Sequence, residues 1–324
     1  MKKGKIPYNS LIRSVLRVPF LQKEAQKIAQ DGALLCEEAD VYGAVNTTVY
    51  GGPYAEELAF YRSFNSALAA GIEPERLLLS LTLPVKERET GTLAHMNAFQ
   101  AAAKREKTAI SGGHTMYAEN TLVPVLTCVI SGKNVCLGAD GKRNIPEPGD
   151  DLILTGFTGD AGAAVLYQEE KEMLEKRFSP GFLMPVTEAF QHLSCRKETE
   201  IFREAGAVLH DVSEGGILGA LWEFSEGYQI GFTVDELSIP IHQETVEICD
   251  VLQGNPYTLL STGCMLAAVK NGQEVLEKLK EAGIPAAIIG HTDSGVKKLL
   301  IRRDEVHYLD RPQPDLIFSL KNFG

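Results

Sequence analysis

Apolar positions along this chain change period repeatedly, and the changes mark out helices and strands. Residues 8–30 predict a helical opening, with Leu11, Val15 and Leu16 and then Leu21, Ala25 and Ile28 near helical spacing. Residues 33–50 turn to β-branched and small side chains (Ala44-Val45-Asn46-Thr47-Thr48-Val49), which predicts a strand. Helical spacing returns over 56–70 and stops at Gly71, a residue suited to a C-cap. Residues 77–83 form an apolar run of strand length, 91–106 predict a second helix, 108–110 a short strand entering a glycine turn, and 122–131 a further strand.

Residues 138–151 break the pattern with Pro146, Pro148 and three glycines, and carry little that is apolar. We place a domain boundary there, giving units 1–146 and 147–324. The second unit predicts strands at 151–156, 229–234, 259–269 and 286–289, and helices after the Gly159-Asp160-Ala161-Gly162 turn and at 186–203, 216–226 and 273–282. Strands and helices mix without regular βαβ spacing, which favours an α+β class over a doubly wound sheet.

Composition narrows the partners. The 324 residues are 44% hydrophobic and 23% charged with a formal net charge of -11, a globular composition whose acidic surface repels nucleic acid and anionic lipid. No stretch reaches the roughly 20 apolar residues of a membrane span, and no apolar region follows the basic start, so a cytoplasmic location is expected. Six cysteines (Cys36, Cys128, Cys136, Cys195, Cys249, Cys264) form no Cys-x-x-Cys pair and read as buried thiols, and the seven histidines are dispersed.

Three glycine segments could carry chemistry. Ile110-Ser111-Gly112-Gly113-His114-Thr115 would let backbone amides approach a ligand beside a hydroxyl and an imidazole, and is equally read as a tight turn. Gly156-Phe157-Thr158-Gly159-Asp160-Ala161-Gly162 is a strand-turn-helix junction that lacks the P-loop lysine and the Gly-x-Gly-x-x-Gly pattern, and could serve packing alone. His210-Asp211-Val212-Ser213-Glu214-Gly215-Gly216 opens a helix whose free amides would attract an anion, or whose Asp211 or Ser213 simply caps it.

Taken in order, these segments resemble the superfamily of aminoimidazole ribonucleotide (AIR) synthetase, selenophosphate synthetase, thiamine-monophosphate kinase and the HypE-type carbamoyl dehydratase of hydrogenase maturation, the last most of all. His210 to Gly216 resembles that branch's His-Asp-Pro-Thr-Arg-Gly-Gly, and Gly149-Asp150-Asp151 through Gly162 its Gly-Asp-x-strand-Gly-x-x-Gly-Asp-x-Gly. Gly4-Lys5-Ile6-Pro7 looks like its opening, and Asn255-Pro256 to Val269 and Ala282-Gly283-Ile284 to Gly290 like its last elements.

The resemblance implies a two-domain AIR synthase-like fold whose N-terminal sheet forms a barrel across a homodimer, with ATP and magnesium in a cleft and chemistry that activates an oxygen by phosphorylation. It implies Asp40 and Asp211 as metal residues. It implies Asn65, Gly112, Gly113, His114, Thr115, Asp160, Asp211, Glu214, Gly215 and Gly216 as nucleotide-site residues. The sequence departs from the family at three carboxylate positions: Ser66 follows Asn65 where Asn-Asp is usual, Pro53 follows Gly51-Gly52, and His114 stands in Gly-His-Thr. Each lost carboxylate weakens a magnesium site. The sequence printed ends Lys321-Asn322-Phe323-Gly324, without the C-terminal cysteine that carries the HypE carbamoyl group, and no cysteine precedes Cys36 as selenophosphate synthesis would require. Two readings follow: an ATP-dependent enzyme acting on a small molecule or protein group, or a binding or regulatory homologue that keeps the fold. An unrelated α+β protein with structural glycine turns is the third.

Overall fold

The computed structural model describes residues 8–14, 31–36, 39–136, 144–311 and 314–319. Of the helix expected over 8–30, α1 (Tyr8–Arg13) is described, and residues 15–30 lie outside the described set.

The first sheet contains β1 (Ala33–Cys36), β2 (Val41–Val49), β3 (Arg76–Pro84), β4 (Ala109–Ala118) and β5 (Val125–Lys133), in the order β1-β2-β5-β3-β4. β3 and β4 run parallel, joined by α3 (Glu89–Arg105), as a parallel pair requires a crossover. The remaining pairs are antiparallel. β5 shows strict alternation, with Leu126, Cys128 and Ile130 buried toward α2 (Ala55–Ala69).

Here the structure corrects the expected glycine turn. β4 continues through Gly112 and Gly113 after a register shift at Ser111, and a Cβ at Gly113 would collide with the Leu79 carbonyl of β3. The glycine pair permits close strand pairing.

The second sheet has the order β12-β11-β8-β10-β6-β9-β7. Its strands are β6 (Asp151–Thr155), β7 (Val208–Val212), β8 (Gly231–Asp235), β9 (Cys264–Val269), β10 (Ala286–Asp293), β11 (Lys298–Arg302) and β12 (Glu305–Tyr308). Only the β8–β11 pair is parallel. Both faces are covered. Leu152, Leu154, Leu266 and Ala268 meet Ile217, Ala220, Leu221 and Phe224 of α8 (Gly216–Tyr228), a helical stripe of the i, i+3, i+4, i+7 kind. Ile153, Met265 and Ala267 face Phe202 of α7 (Arg196–Glu204) and Val275 and Leu279 of α10 (Gly272–Glu281).

α4 (Asp160–Glu169), α5 (Lys171–Arg177), α6 (Pro180–Glu188) and α9 (Gln243–Val251) complete the second half in sequence, yet α4, α6 and α9 belong to the core of the first sheet. α2 is therefore enclosed, with residues from Leu58 to Leu68 buried, and its polar side chains must find partners inside the protein. Asn65 holds the second half directly: its Nδ2 donates to Leu193 O (2.8 Å) and its Oδ1 accepts from Cys195 N (3.1 Å). That bridge explains why the helix expected over 186–203 is broken. α6 ends at Glu188, a 3-10 turn covers Ala189–His192, and residues 193–195 turn out to Asn65 before α7 begins. Likewise the strand expected over 259–269 begins only at Cys264: Asn255 caps a 3-10 turn at Pro256–Thr258, and Ser261 is held away from the ladder by its bonds to Gly159 N and Ser213 O. The β11–β12 hairpin was not anticipated; β12 is exposed throughout and lacks a buried stripe.

Elsewhere on the seam, Arg196 pairs with Glu73 (2.7 Å) and Glu106 (3.3 Å). His210, fully buried on β7, lies 2.9 Å from Asp31 and 3.4 Å from Glu223. Burial opposes its charge, but the two carboxylates prevail and raise its pKa to about 10.

Asn65→Ala leaves two buried backbone groups unpaired and should cost about 2–4 kcal/mol in urea unfolding; an unchanged midpoint would show that the bridge carries no stability. His210 titrates near 6.5 when unfolded and near 10 when folded, so its contribution is complete below 6.5 and lost as pH rises toward 10. Stability of the wild type should therefore fall more steeply than that of His210→Gln between pH 6.5 and 10, and parallel curves would contradict the charged clasp.

Candidate functional site

Strand direction places three loops together. β6 and β7 both run antiparallel to β9, with Leu154 opposite Leu266 and Val212 opposite Cys264. The C-terminal ends of β6 and β7 and the N-terminal end of β9 thus share one edge of the sheet. From that edge rise residues 156–159, leading into α4, residues 213–215, leading into α8, and residues 260–263. Ser261 staples them: its Oγ accepts from Gly159 N (2.8 Å), and its own amide donates to Ser213 O (3.2 Å). Ser213 and Thr262 hydroxyls lie 3.3 Å apart. Gly216, at φ +59, is required here because a Cβ would run into the Tyr257 carbonyl.

α2 packs against this edge and presents a row of buried polar groups. Ser66 Oγ lies 2.9 Å from Asp211 Oδ1, and Asn46 Nδ2 donates to Ser66 Oγ (3.0 Å) and Arg62 O (3.2 Å). Arg62, 5% exposed, donates through Nη2 to Glu214 (2.7 Å) and through Nη1 to Thr48 Oγ1 (2.9 Å) and Thr47 O (3.2 Å). Asp315 completes the cluster from the far end of the chain, accepting from Gly215 N (3.2 Å) and, at its other oxygen, from Ile317 N (3.2 Å). Burial, with Glu214 alongside, outweighs the amide bonds and Arg62 and pushes the Asp315 pKa up to about 7.

Asp160 stands at the start of α4 and faces α9. It accepts from Thr245 Oγ1 (2.9 Å) and lies 2.8 Å from His242 Nδ1, whose ring stacks on Phe157 at 3.7 Å. Burial raises its pKa against the opposing pull of His242.

The structure therefore gathers Asp211, Glu214, Gly215 and Gly216 at one edge, with Asp160 beside them. Asn65 shares α2 but its amide is engaged by residues 193–195. Gly112, Gly113, His114 and Thr115 lie on exposed edge strand β4, where His114 is opposite Ser80. Asp40 sits in an exposed turn at φ +52 just before β2. At about 3.3 Å per residue it is roughly 20 Å along the strand from Asn46, so one chain does not bring it to Asp211. Arg62, Asn46, His242 and Asp315 belong to the site region and were missed. Arg62 carried a signal, being the single charge inside the apolar run 58–70; Asp315 and His242 carried none.

A resident magnesium does not fit this donor set: among the described residues no group of three or more Asp, Glu, His or Cys side chains is placed to hold a metal ion, and Asp211 and Glu214 face Ser66 and Arg62. A phosphate group fits better. In the first turn of α8, Gly215 N meets Asp315 and Gly216 N meets Ser213 O, while Ile217 and Leu218 amides have no acceptor among the described residues.

Comparison with known proteins finds relatives in sequence and in fold. Residues 147–301 match the AIR synthase related protein, C-terminal domain. A hydrogenase expression/formation protein of Methanocaldococcus jannaschii is 29% identical over 255 residues, 75% of this chain and 72% of that protein. HypE in its complex with HypF superimposes with a TM-score of 0.73 at 19% identity, over 94% of this chain and 100% of that one. HypE in complex with ATP does so at 0.69 and 18%, covering 98% of each. Residues 147–301, a little under half of the chain, thus resemble the AIR synthase related C-terminal domain, and the solved HypE structures share the fold over most of the chain.

Proposed function

We propose that this protein binds ATP at the edge formed by residues 156–162, 211–218 and 260–263 and uses it to activate an oxygen of a small molecule or protein group by phosphorylation. The observation that carries the reading is the stapling of three loops by Ser261 against the buried polar row of α2. A solved HypE holds ATP on the same fold, which supports a nucleotide here. Phosphoryl transfer needs positioning and charge stabilisation more than covalent help. In this reading the α8 amides of Ile217 and Leu218 hold phosphate oxygens, Arg62 fixes Glu214, and Ser66 orients Asp211. Magnesium would arrive with the nucleotide, with Asp211 as its protein ligand.

A second reading, a binding or regulatory homologue without turnover, is favoured by one contact. Ser66 satisfies Asp211 with a neutral hydroxyl where a second carboxylate would call for a cation.

We further propose a homodimer through the uncovered face of the first sheet. Val45 is 61% exposed there, with Leu78, Met116 and His114 also open to solvent, so that face carries apolar side chains left uncovered. In this reading unit 1–146 dimerises and unit 147–324 supplies the loops. HypE has been solved with HypF, which keeps a protein partner in view. The net charge of -11 disfavours nucleic acid, and among the described residues no helix is long and apolar enough to cross a membrane; a cytoplasmic location goes with the reading.

Calorimetry should show ATP binding near micromolar affinity, about -8 kcal/mol. Ser66→Asp sets two carboxylates in contact; its melting temperature should drop in EDTA, by roughly 2–4 °C per kcal/mol of repulsion, and recover in magnesium. Absence of ATP binding with or without magnesium would sink the nucleotide reading, and a Ser66→Asp protein indifferent to magnesium would remove Asp211 as its ligand. Val45→Glu should convert a dimer to a monomer in sedimentation; a monomeric wild type would contradict the proposed assembly.

A further inference from the structure

A cavity of about 120 Å³ lies on the seam between the two halves, away from the loop edge. Ala69 at the end of α2, Val208 at the start of β7, Tyr228 at the end of α8, and Cys136, Asn144 and Arg203 are among the residues that line it. Val208 is about 13 Å along β7 from Val212 at the site edge, and Ala69 is about 10 Å along α2 from Arg62. Asn144 fixes one wall by donating to Gly206 O (2.8 Å).

Arg203 is the single charged side chain among the described lining residues, and its hydrogen bonds are poor. Nη1 reaches Glu73 at 3.5 Å, while Nη2 reaches Leu68 O at 3.4 Å and Ile72 O at 3.3 Å. Nε is buried with no partner among the described residues. These lengths are at the weak end of hydrogen bonding, and Glu73 closes more tightly on Arg196, at 2.7 Å. Holding the last carbonyls of α2 explains where the guanidinium sits and leaves its charge weakly met.

We propose that this cavity binds a small monocarboxylate, its head on Arg203 and its alkyl chain against Ala69 and Val208, as a second site separate from the nucleotide edge. A guanidinium matches a planar carboxylate through parallel N–H bonds, and the alanine, glycine and valine walls suit a short apolar body. An apolar protein cavity of about 150 Å³ holds benzene, so about six non-hydrogen atoms, the size of butyrate, fill this one.

The test is saturation-transfer NMR of butyrate with the full-length protein, with butyramide as the neutral isostere, alongside mapped alkylation of Cys136 by iodoacetamide. Cys36, exposed on β1, is the internal reference. Expected are saturable butyrate binding, butyramide weaker by about tenfold for the lost charge-assisted bond, and butyrate slowing alkylation of Cys136 but not of Cys36. Arg203→Gln removes the charge, and Ala69→Leu fills the cavity while leaving Arg203 in place; each should abolish butyrate binding. Ala69→Leu guards against a folding defect peculiar to Arg203→Gln. No saturable binding of butyrate or the shorter acids, equal binding of butyramide, or binding retained in Ala69→Leu would overturn the site. None of these results bears on the nucleotide reading.

Discussion

A guanidinium buried in a helix enclosed on nearly all sides has to meet a carboxylate, and Arg62 meets one 152 residues away in Glu214. An unpaired charge at that depth would cost several kcal/mol. The first sheet, α2 and the His210–Gly216 loop are therefore fixed as one unit. Ser66 with Asp211 and Asn65 with residues 193–195 run along the same helix, so the seam between the halves is a continuous polar strip inside an apolar core.

Ser66 changes what the strip does. With a carboxylate at 66, the contact with Asp211 would be a repulsive pair that only a cation relieves. With serine, the contact closes by itself at 2.9 Å. The same edge keeps its glycines, its staple and two open amides on α8. Geometry for holding an anion persists, while the donor set for a prebuilt metal does not. On the proposed reading, a protein built this way depends on the nucleotide to bring its cation, or binds the nucleotide without turning it over.

The sequence was informative where one face of an element is buried. The stripes of α8 and α10 and the alternation of β5 were readable from spacing, and the loop from His210 to Gly216 could be placed at the start of a helix. It misled where a partner distant in sequence decides the local structure. Asn65 breaks the helix expected through 186–203, and pairing with β3, close enough at Leu79 to exclude a Cβ at Gly113, makes the Gly112-Gly113 pair strand. Arg62 was readable in principle as a lone charge in an apolar run. Asp315 was not, because its carboxylate reaches Gly215 through the packing of Leu316, Ile317 and Phe318 on the first core.

The central claim is that ligand binds at the β6, β7 and β9 edge against α2. Photolabelling with an azido-adenine analogue of ATP, followed by peptide mapping, addresses it directly. The account predicts labels within residues 156–162, 211–218 or 260–263 that unlabelled ATP competes away. Competed labels confined to the β11–β12 hairpin or another surface remote from those loops would contradict it.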